Sequence, residues 1–254
     1  MKHGRIYLNG SIVAVTQAED GRVRLPSGQL LDEAACHWLA PVQVGTVFAL
    51  GLNYADHARE LAFKAPEVPL VFLKGPNTIT GHRARTLRPQ DATYMHYECE
   101  LAVVIGKTCR NVAKEDALAH VAGYSVANDY AIRDYLENFY RPNLRVKNRD
   151  GCTPLGPWMV DAADVPNPQA LELTTRINGQ TTQRGTTADM IFDVASLIAY
   201  LSSFMTLSPG DVILTGTPEG LADVKAGDTV ETEIEGIGCL VNTIASDATL
   251  LNIA

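Results

Sequence analysis

The stretch His96-Tyr97-Glu98-Cys99-Glu100-Leu101-Ala102-Val103-Val104-Ile105 places two carboxylates at the start of a strongly apolar run. Because its second half is apolar at every position, the stretch predicts a strand buried on both faces. Side chains two residues apart on a strand point to the same face, so the Cα atoms of Glu98 and Glu100 are expected about 6.6 Å apart on one face. Two carboxylates held against a core repel each other unless positive charge lies between them.

A third carboxylate, Asp129, follows another apolar segment, Val121 to Asn128, which also predicts a strand. Mg²⁺ and Mn²⁺ prefer oxygen ligands and would neutralise such a cluster. A pair of glutamates on a solvent-facing edge strand is the commoner origin of the pattern Glu-x-Glu. The coincidence with Asp129 and with the motifs described below favours a metal site formed by Glu98, Glu100 and Asp129.

The composition excludes several classes of protein. Among 254 residues there are 21 Lys plus Arg and 29 Asp plus Glu, which gives a formal net charge of −8. A uniformly attractive field for nucleic acid or anionic lipid is therefore not expected. The five cysteines form no C-x-x-C pair, no signal peptide is evident at the N-terminus, and no apolar run approaches the roughly 20 residues of a membrane helix. These features predict a cytoplasmic protein with reduced thiols.

Turn and strand signals outnumber helical ones, which predicts an α+β, strand-rich fold rather than a doubly wound sheet or a TIM barrel. Hairpins are expected around Asn9-Gly10, Pro26-Ser27-Gly28 and Asn178-Gly179. Further strands are expected at Val68–Leu73, His96–Ile105, Val121–Ala127, Leu171–Ile177, Asp211–Leu214, Thr229–Ile234 and Leu240–Ile244. We expect a small N-terminal β appendage over residues 1–45 and the main domain over residues 46–254.

Three helices are expected between these strands. One runs from Tyr54 to Phe63, with Asn53 as a possible N-cap, and a second covers Ala113–His120. The third covers Val194–Met205. In this last helix Asp193 is the expected cap, and Leu197, Leu201 and Phe204 share one face.

The first of these helices carries His57 and Glu60, which are three residues apart and share a face. Glu60 could then orient the imidazole, which is the arrangement of an acid/base pair. An ordinary contact on a surface helix is the alternative.

Two further features point to an anionic ligand. The turn Thr215-Gly216-Thr217-Pro218-Glu219-Gly220 follows a predicted strand and offers backbone N–H groups and a threonine hydroxyl. Five cations lie within 17 positions after Asp129, namely Arg133, Arg141, Arg145, Lys147 and Arg149. A tight turn and a solvated loop are the alternatives, but in an acidic protein such a cluster favours a carboxylate trap.

The motifs G-L-N-Y-A-D-H at 51–57, V-F-L-K at 71–74, Y-E-C-E at 97–100, N-D-Y-A-I-R-D at 128–134 and T-G-T-P-E-G at 215–220 occur in one order. Together they resemble the fumarylacetoacetate hydrolase superfamily over about residues 46 to 245. The resemblance implies a mixed β-roll of that family's C-terminal domain type. It also implies a homodimer, or pairing with a related module, since some members carry two modules in tandem.

The resemblance also implies roles for individual residues. It makes Glu98, Glu100 and Asp129 ligands of Mg²⁺ or Mn²⁺. His57 and Glu60 match the acid/base dyad, and Lys147 matches a lysine that faces the substrate. The implied substrate-binding residues are Asn53, Tyr54, Lys74, Arg133, Arg141 and Thr217.

Within the superfamily the segment 130–147 resembles the isomerase/decarboxylase branch of homoprotocatechuate breakdown. This implies decarboxylation of 5-oxopent-3-ene-1,2,5-tricarboxylate and isomerisation of 2-hydroxyhepta-2,4-diene-1,7-dioate to 2-oxohept-3-ene-1,7-dioate. The alternatives are an acylpyruvate hydrolase, an oxaloacetate decarboxylase or a silent partner subunit. The resemblance also implies that the true fumarylacetoacetate hydrolases have an extra N-terminal domain with a further acidic ligand. The chain is too short to include that domain, which favours the decarboxylase.

Overall fold

A computed structural model of the chain describes residues 1–60, 64–136 and 143–249, and strands dominate these ranges. The strands are β1 (Lys2–Leu8), β2 (Ser11–Gln17), β3 (Val23–Arg24), β4 (Leu30–Leu31), β5 (His37–Leu39), β6 (Val47–Gly51), β7 (Leu70–Lys74), β8 (Ile79–Thr80), β9 (Arg85–Arg88), β10 (Met95–His96), β11 (Cys99–Ile105), β12 (Val121–Asn128), β13 (Ala131–Ile132), β14 (Thr153–Pro154), β15 (Met159–Asp161), β16 (Glu172–Ile177), β17 (Gln180–Thr186), β18 (Val212–Leu214), β19 (Thr229–Ile234) and β20 (Gly238–Ser246). The α-helices are α1 (Ala55–Glu60), α2 (Leu144–Lys147) and α3 (Val194–Phe204).

The larger sheet is built around β11, which lies within the predicted strand His96–Ile105. Its strands follow in the order β4-β3-β2-β1-β15-β12-β11-β18-β6-β7, with β5 also paired to β1. Neighbours are antiparallel except β18 and β6, which are parallel. Strand β11 lies between β12 and β18, and apolar clusters cover both of its faces, so all seven of its residues are buried, which confirms the predicted fully buried strand.

The second sheet has the order β17-β16-β19-β20-β9 and is antiparallel except for the parallel pair β20 and β9. Its hairpin turns at Asn178-Gly179, where both residues have positive φ, as the Asn-Gly signal predicts. Apolar side chains of β11 and β12 pack against Leu173 of β16, Leu240 of β20 and Ile198 of α3. The main core therefore lies between the two sheets and α3.

Two of the expected helices differ from the structure in detail. The segment Lys114–His120 is a 3₁₀ helix in which only Ala117 is buried, so it lacks the continuous apolar face of an amphipathic α-helix. In α3, Asp193 caps the helix by accepting a hydrogen bond from Ser196 N at 2.7 Å, as predicted. Phe204, however, is 57% exposed, because it is the last residue of the helix and its ring packs on Tyr200 instead of the core.

The first 45 residues extend the edge of the larger sheet. Strand β1 pairs with β15 at Lys2 and His3, and the β1–β2 hairpin turns at Asn9-Gly10 as predicted. The ring of Trp38 meets that of Trp158 edge-on, with centroids 4.8 Å apart. The N-terminal strands are thus joined to the rest of the chain by both backbone pairing and an apolar cluster. The proposed domain boundary at residue 45 stays a prediction.

Within the described ranges no helix is long and apolar enough to cross a membrane. All five cysteines are free thiols, as their odd number and spacing predict. Cys99 lies in the main apolar cluster, on the opposite face of β11 from its glutamate neighbours.

Candidate active site

Three carboxylates converge where β11 begins and β12 ends. Pairing of Cys99 with Asn128 brings the ends of the two strands together, and the N–H of Asp129 donates to the carbonyl of Glu98 at 2.9 Å. One carboxylate oxygen from each of Glu98, Glu100 and Asp129 lies within 4.8 Å of the others, and all three residues are buried. The structure therefore brings the predicted ligands together, and we call them the acidic triad.

Two lysines enclose the acidic triad. Lys147, at the end of α2, donates to Glu98 and, at 2.7 Å, to Oδ2 of Asp129. Lys74, at the end of β7, donates to the other oxygen of Asp129 at 2.5 Å and to the backbone carbonyl of Lys147. The Lys74 side chain has no exposed surface. The structure thus places Lys74 against Asp129, and its expected contact with substrate stays a prediction.

The two glutamates of the triad have opposite pKa shifts. Burial alone would raise the pKa of Glu98, but nearby positive charge, most of all from Lys147, lowers it to about 2. The pKa of Glu100 is raised well above its usual value by burial and by the charges of Asp129 and Glu98. Glu100 lacks the direct lysine contact that Glu98 has, so its negative charge is the least compensated of the three.

Glu100 also supplies the test of whether this site fits a metal. Its Oε2 accepts a hydrogen bond from Gly216 N at 2.7 Å, but its Oε1 is buried and has no partner among the described residues. A buried carboxylate oxygen without a donor is costly unless a cation approaches it. Three carboxylates form an all-oxygen set of the kind that Mg²⁺ and Mn²⁺ prefer. The residues present therefore fit a hard divalent cation.

His96 and Arg133 form one wall of the site. Arg133 donates through Nε to His96 Nε2 at 2.8 Å and through Nη2 to Glu98 at 3.3 Å. His96 Nδ1 faces the carbonyl of Tyr97 at 3.0 Å, so this nitrogen carries the proton and Nε2 is the acceptor. Burial lowers the pKa of His96 to about 3, which keeps the ring neutral. Both contacts fix the plane of the Arg133 guanidinium.

The predicted dyad is formed on α1. His57 Nδ1 lies 3.1 Å from Oε2 of Glu60. The other oxygen of Glu60 accepts hydrogen bonds from the N–H groups of Gly220 and Leu221, each at 3.1 Å. Glu60 therefore links the imidazole to the turn that follows β18.

The turn after β18 is fixed to the triad and to α1. Gly216 has a φ of +88°, and a Cβ there would lie 2.9 Å from Cβ of Asn53, so only glycine fits. The Asn53 side chain donates to the carbonyls of Phe192 and Thr215 and accepts from Phe192 N. These hydrogen bonds join three loops. The side chain of Asn53 therefore connects loops instead of forming the helix N-cap that the sequence predicts. They leave the predicted contact of Asn53 with substrate untested.

Tyr54 and Thr217, two of the predicted substrate-binding residues, are both buried. Tyr54 is fully buried in the main core, burial raises the pKa of its phenol well above the usual value, and its hydroxyl has no partner among the described residues. Thr217 is 2% exposed, and its Oγ1 accepts a hydrogen bond from Gln183 Nε2 at 2.9 Å. Both stay predicted substrate contacts.

The cationic stretch divides into separate groups. Lys147 and Arg133 contact the triad, whereas Arg145 and Arg149 lie over the ring of Tyr135, at 4.1 and 5.8 Å from its centroid. Arg141 lies outside the described residues, as do residues 61–63 of the expected first helix. The described cations therefore do not form the predicted single carboxylate-binding cluster.

Two polar residues that contact the predicted site were missed by the sequence analysis. His96 stands two residues before Glu98 within the predicted strand His96–Ile105, so alternation could have identified it, although the structure divides that segment into β10 and β11. Gln183 belongs to β17 of the second sheet, within the polar run Gln180-Thr181-Thr182-Gln183. Nothing in that run distinguishes the residue that reaches the site, because its position depends on how the two sheets pack.

A sequence model of the fumarylacetoacetate (FAA) hydrolase C-terminal family matches residues 46–245. The chain belongs to this family. That membership confirms the expected resemblance and its range.

A relative from Salmonella dublin, named 4-hydroxyphenylacetate degradation bifunctional isomerase/decarboxylase, is 63% identical over 203 residues. The match covers 80% of this chain and 47% of that protein, so the chain spans about half the length of the curated relative.

Solved structures of the family share the fold. The 5-carboxymethyl-2-hydroxymuconate delta-isomerase from Mycobacterium smegmatis is 39% identical, with a TM-score of 0.86 over 97% of this chain and 99% of that one. The fumarylpyruvate hydrolase from Pseudomonas aeruginosa, in complex with Mn²⁺ and pyruvate, is 33% identical. Its TM-score is 0.76 over 80% of this chain and 91% of that one. These likenesses confirm the strand-rich fold class.

Proposed function

We propose that this chain is a divalent-metal-dependent decarboxylase and isomerase of unsaturated 2-oxo acids. Its substrates would be 5-oxopent-3-ene-1,2,5-tricarboxylate and 2-hydroxyhepta-2,4-diene-1,7-dioate, intermediates of 4-hydroxyphenylacetate breakdown. The observation that carries the proposal is the buried acidic triad, with one oxygen on Glu100 that lacks a partner among the described residues, connected through the turn 215–220 to the His57–Glu60 pair. Similarity to the bifunctional relative supports the choice of reaction.

Glu98, Glu100 and Asp129 would hold Mg²⁺ or Mn²⁺. When bound, the cation supplies Lewis-acid stabilisation of the negative charge that develops on the 2-oxo group. When all three carboxylates are ionised, as a bound cation requires, the triad contributes three negative charges, and Lys74, Lys147 and Arg133 contribute three positive ones. Adding a divalent cation leaves the site positive, which suits a di- or tricarboxylate ligand.

The chain's own residues would bind and orient the substrate. Arg133 has a fixed guanidinium plane and can pair with a substrate carboxylate through its remaining N–H groups. Lys147 adds a buried positive charge. Burial alone would lower the pKa of its ammonium group, but the charges of Asp129 and Glu98 outweigh this effect and raise that pKa above the usual range. The hydroxyl of Thr217 can donate to a second carboxylate. Arg141 remains a proposed contact outside the described residues.

The decarboxylation needs an electron sink and no initiating base. The bond from C2 of the tricarboxylate to its carboxyl group breaks, and CO₂ leaves. The electron pair moves through the C3–C4 alkene to the oxygen on C5, which is position 2 of the product. Protonation of that oxygen gives 2-hydroxyhepta-2,4-diene-1,7-dioate. Arg133 and Lys147 keep the departing carboxylate and the conjugated chain in one orientation, which is a contribution of positioning.

The isomerisation moves one proton. The enol proton leaves the 2-hydroxyl and a proton is added at C5, which gives 2-oxohept-3-ene-1,7-dioate. His57 Nε2 would carry this proton, because Nδ1 faces the carboxylate of Glu60. Glu60 stabilises the imidazolium while the proton is on the ring and keeps α1 against the turn at Gly220.

A hydrolase of acylpyruvates is the second candidate, favoured by the structural likeness to the fumarylpyruvate hydrolase. That reaction would use the same cation site but would add water and cleave a carbon–carbon bond. An oxaloacetate decarboxylase is a further member of the same group of reactions.

A substrate panel separates these candidates. The tricarboxylate, the dienol, an acylpyruvate and oxaloacetate would be followed by ultraviolet absorbance, with Mg²⁺ and with a chelator. Glu100→Gln and the exposed control Glu115→Gln would be run in parallel. We expect turnover of the first two compounds that stops with chelator and in Glu100→Gln only. Turnover limited to the acylpyruvate or to oxaloacetate would refute the proposal.

Pairing with a second module is also proposed, because the chain spans about half the length of the bifunctional relative. A homodimer or a complex with a related chain would supply that module. Light scattering coupled to size exclusion measures the mass directly, and a mass of one chain for the active protein would contradict the pairing. The free thiols agree with the proposed cytoplasmic location.

A further inference from the structure

Gln183 connects the second sheet to the turn after β18. Its side chain is 1% exposed and makes three hydrogen bonds. Nε2 lies 2.9 Å from Oγ1 of Thr217 and 2.8 Å from the carbonyl oxygen of Pro218, and Oε1 lies 3.0 Å from Oγ1 of Thr175. Every polar atom of this buried amide therefore has a partner.

The chemistry of these partners fixes the orientation of the amide. A carbonyl oxygen can only accept a hydrogen bond, so the Gln183 atom beside Pro218 O must be the NH₂ group. The same group has a second hydrogen, which is directed at Thr217 Oγ1. Because that oxygen receives the hydrogen of the amide, the threonine's own hydrogen must point in another direction.

The structure leaves this hydroxyl hydrogen available. Among residues 1–60, 64–136 and 143–249, no group accepts a hydrogen bond from Thr217 Oγ1. The adjacent residue, Gly216, donates its N–H to Glu100, so Thr217 stands one residue from a direct contact with the acidic triad. We propose that Gln183 is a positioning residue that makes Thr217 a dedicated hydrogen-bond donor to an anionic ligand oxygen. The inference rests on the proposed function, in which Thr217 binds a substrate carboxylate.

The packing around Gln183 keeps this geometry. A Cβ at Gly185, two residues along β17, would lie 2.5 Å from Cγ of Pro218, so the strand and the turn are in direct contact there. A Cβ at Gly220 would lie 3.1 Å from Cα of Gln183. The turn is therefore held against β17 at both ends. The side-chain amide of Gln183 consequently keeps its position even if the side chain of Thr217 rotates.

A purely structural role would tie β17 to the turn without directing the hydroxyl. The two roles differ in what they predict for catalysis. Loss of a donor to a substrate carboxylate removes binding that is equal in the ground state and transition state, so KM rises while kcat is kept. Loss of packing alone lowers the melting temperature and has no such selectivity.

The test uses the full chain loaded with Mg²⁺ and five variants: Gln183→Met, Gln183→Glu, Thr217→Val, Thr217→Ser and the double variant Gln183→Met/Thr217→Val. Gln180→Met, an exposed position on the same strand, is the matched control. For each, kcat and KM for the tricarboxylate are measured, together with the dissociation constant of oxalate and the melting temperature. Oxalate serves as a non-reacting dicarboxylate probe.

We expect Thr217→Val and Gln183→Met each to raise KM and the oxalate dissociation constant about 10- to 100-fold, the size of one hydrogen bond to a charged group, with kcat within about twofold. Thr217→Ser keeps the hydroxyl and should therefore lose less oxalate affinity than Thr217→Val, whereas the control Gln180→Met should stay close to the unchanged protein. Since Gln183 acts through Thr217, the double variant should be no worse than Thr217→Val. Gln183→Glu keeps the side chain's shape but turns the partner of Thr217 into an acceptor, so it should weaken oxalate binding at least as strongly.

Three outcomes would overturn the inference. One is an oxalate affinity in Gln183→Met and Gln183→Glu equal to that of the unchanged protein. Another is full additivity of the two single substitutions, and the third is an unaltered affinity in Thr217→Val. Should Gln183→Met unfold, the isosteric Gln183→Glu decides. If the unchanged protein binds oxalate but does not turn over the tricarboxylate, the proposed function fails while the oxalate constants still decide the role of Gln183.

Discussion

The carboxylate of Glu60 serves two partners at once. One oxygen faces His57, and the other accepts from the backbone of Gly220 and Leu221. The residue that orients the imidazole therefore also holds α1 in place. The orientation of the acid/base group and the contact between α1 and the backbone at Gly220 and Leu221 thus depend on a single side chain.

At this scale we predict that His57→Ala separates the two half-reactions. Decarboxylation needs no initiating base, whereas the proton shift needs a positioned acid/base, a contribution of typically 10²–10⁴-fold. The variant should lose isomerase kcat by about that factor, keep more of its decarboxylase activity, and release the dienol into solution. Each half-reaction is measured at saturating substrate, with the exposed Arg59→Ala as control on the same helix.

Glu60→Gln should show the same bias more weakly. The amide can still accept the backbone hydrogen bonds through its oxygen, but its NH₂ group would face Nδ1 of His57 and favour the other tautomer. Equal losses of kcat in both half-reactions for His57→Ala would mean that His57 is not a dedicated proton carrier.

Single residues differ in how far the sequence predicts their positions. Strand alternation placed Glu98 and Glu100 on one face, and Asp129 could be added because it ends a second apolar strand. The burial of Lys74 against Asp129 has no counterpart in the local sequence. It results from a contact between distant parts of the chain, in which the end of β7 meets the residue after β12 and the backbone of α2.

At the scale of elements, alternation along β11 predicts that Cys99 is inert to thiol reagents. It lies in the core opposite the triad, and burial raises the pKa of its thiol. Mass spectrometry after brief treatment of the native protein with a thiol reagent should find Cys99 unlabelled, while the partly exposed Cys36 is the reactive reference. Rapid labelling of Cys99 without unfolding would contradict the strand register.

The cap of α3 gives a prediction with a defined pH dependence. Burial would raise the pKa of Asp193, but hydrogen bonds from Lys114 and Ser196 lower it below its usual value. The folded pKa is depressed, so the charge stabilises the protein above the unfolded pKa of about 3.9, and this contribution is lost as the pH falls through the folded value.

Two variants of Asp193 measure this effect. Asp193→Ala should cost about 1 kcal/mol at pH 7, because the cap is lost. Asp193→Asn keeps the cap and should cost less. Urea denaturation measures the free energy of unfolding at pH 7 and at pH 3. The difference in this free energy between Asp193→Asn and the unchanged protein should be smaller at pH 3. A constant difference at both values would exclude the charge as its cause.

Elements with strong local signals were predicted well, and those shaped by packing were not. The Asn-Gly hairpins and the cap at Asp193 follow from turn and capping chemistry. The 3₁₀ form of Lys114–His120 and the exposure of Phe204 depend on where the core ends, which the helical period alone does not show.

For the whole molecule, the charge balance of the site predicts coupling between cation and anion. Three cations already balance the triad, so a divalent cation adds net positive charge that an anionic ligand can neutralise. We expect Mg²⁺ with oxalate to raise the melting temperature by more than the sum of the two separate shifts. Oxalate should have no effect in chelator. Strictly additive shifts, or equal stabilisation by oxalate in chelator, would contradict this coupling.

Contacts between the sheets are the part of the molecule least visible in the sequence. Gln183 reaches the turn at Thr217 only because β17 packs beside it, across 34 positions of chain. The resemblance to a known family predicted the β-roll, yet the local pattern around Gln183 is an ordinary polar strand. A contact of this kind depends on how distant strands pack, so the local sequence does not predict it.

The central claim is that Glu98, Glu100 and Asp129 hold a catalytic divalent cation. It is tested most directly by anomalous diffraction from crystals of the protein loaded with Mn²⁺. We predict a single strong peak at coordination distance, about 2.0–2.2 Å, from one oxygen of each carboxylate, and its absence in Glu100→Gln crystals. A fully active, Mn²⁺-loaded protein with no peak at the acidic triad, or with its peak elsewhere, would contradict the account.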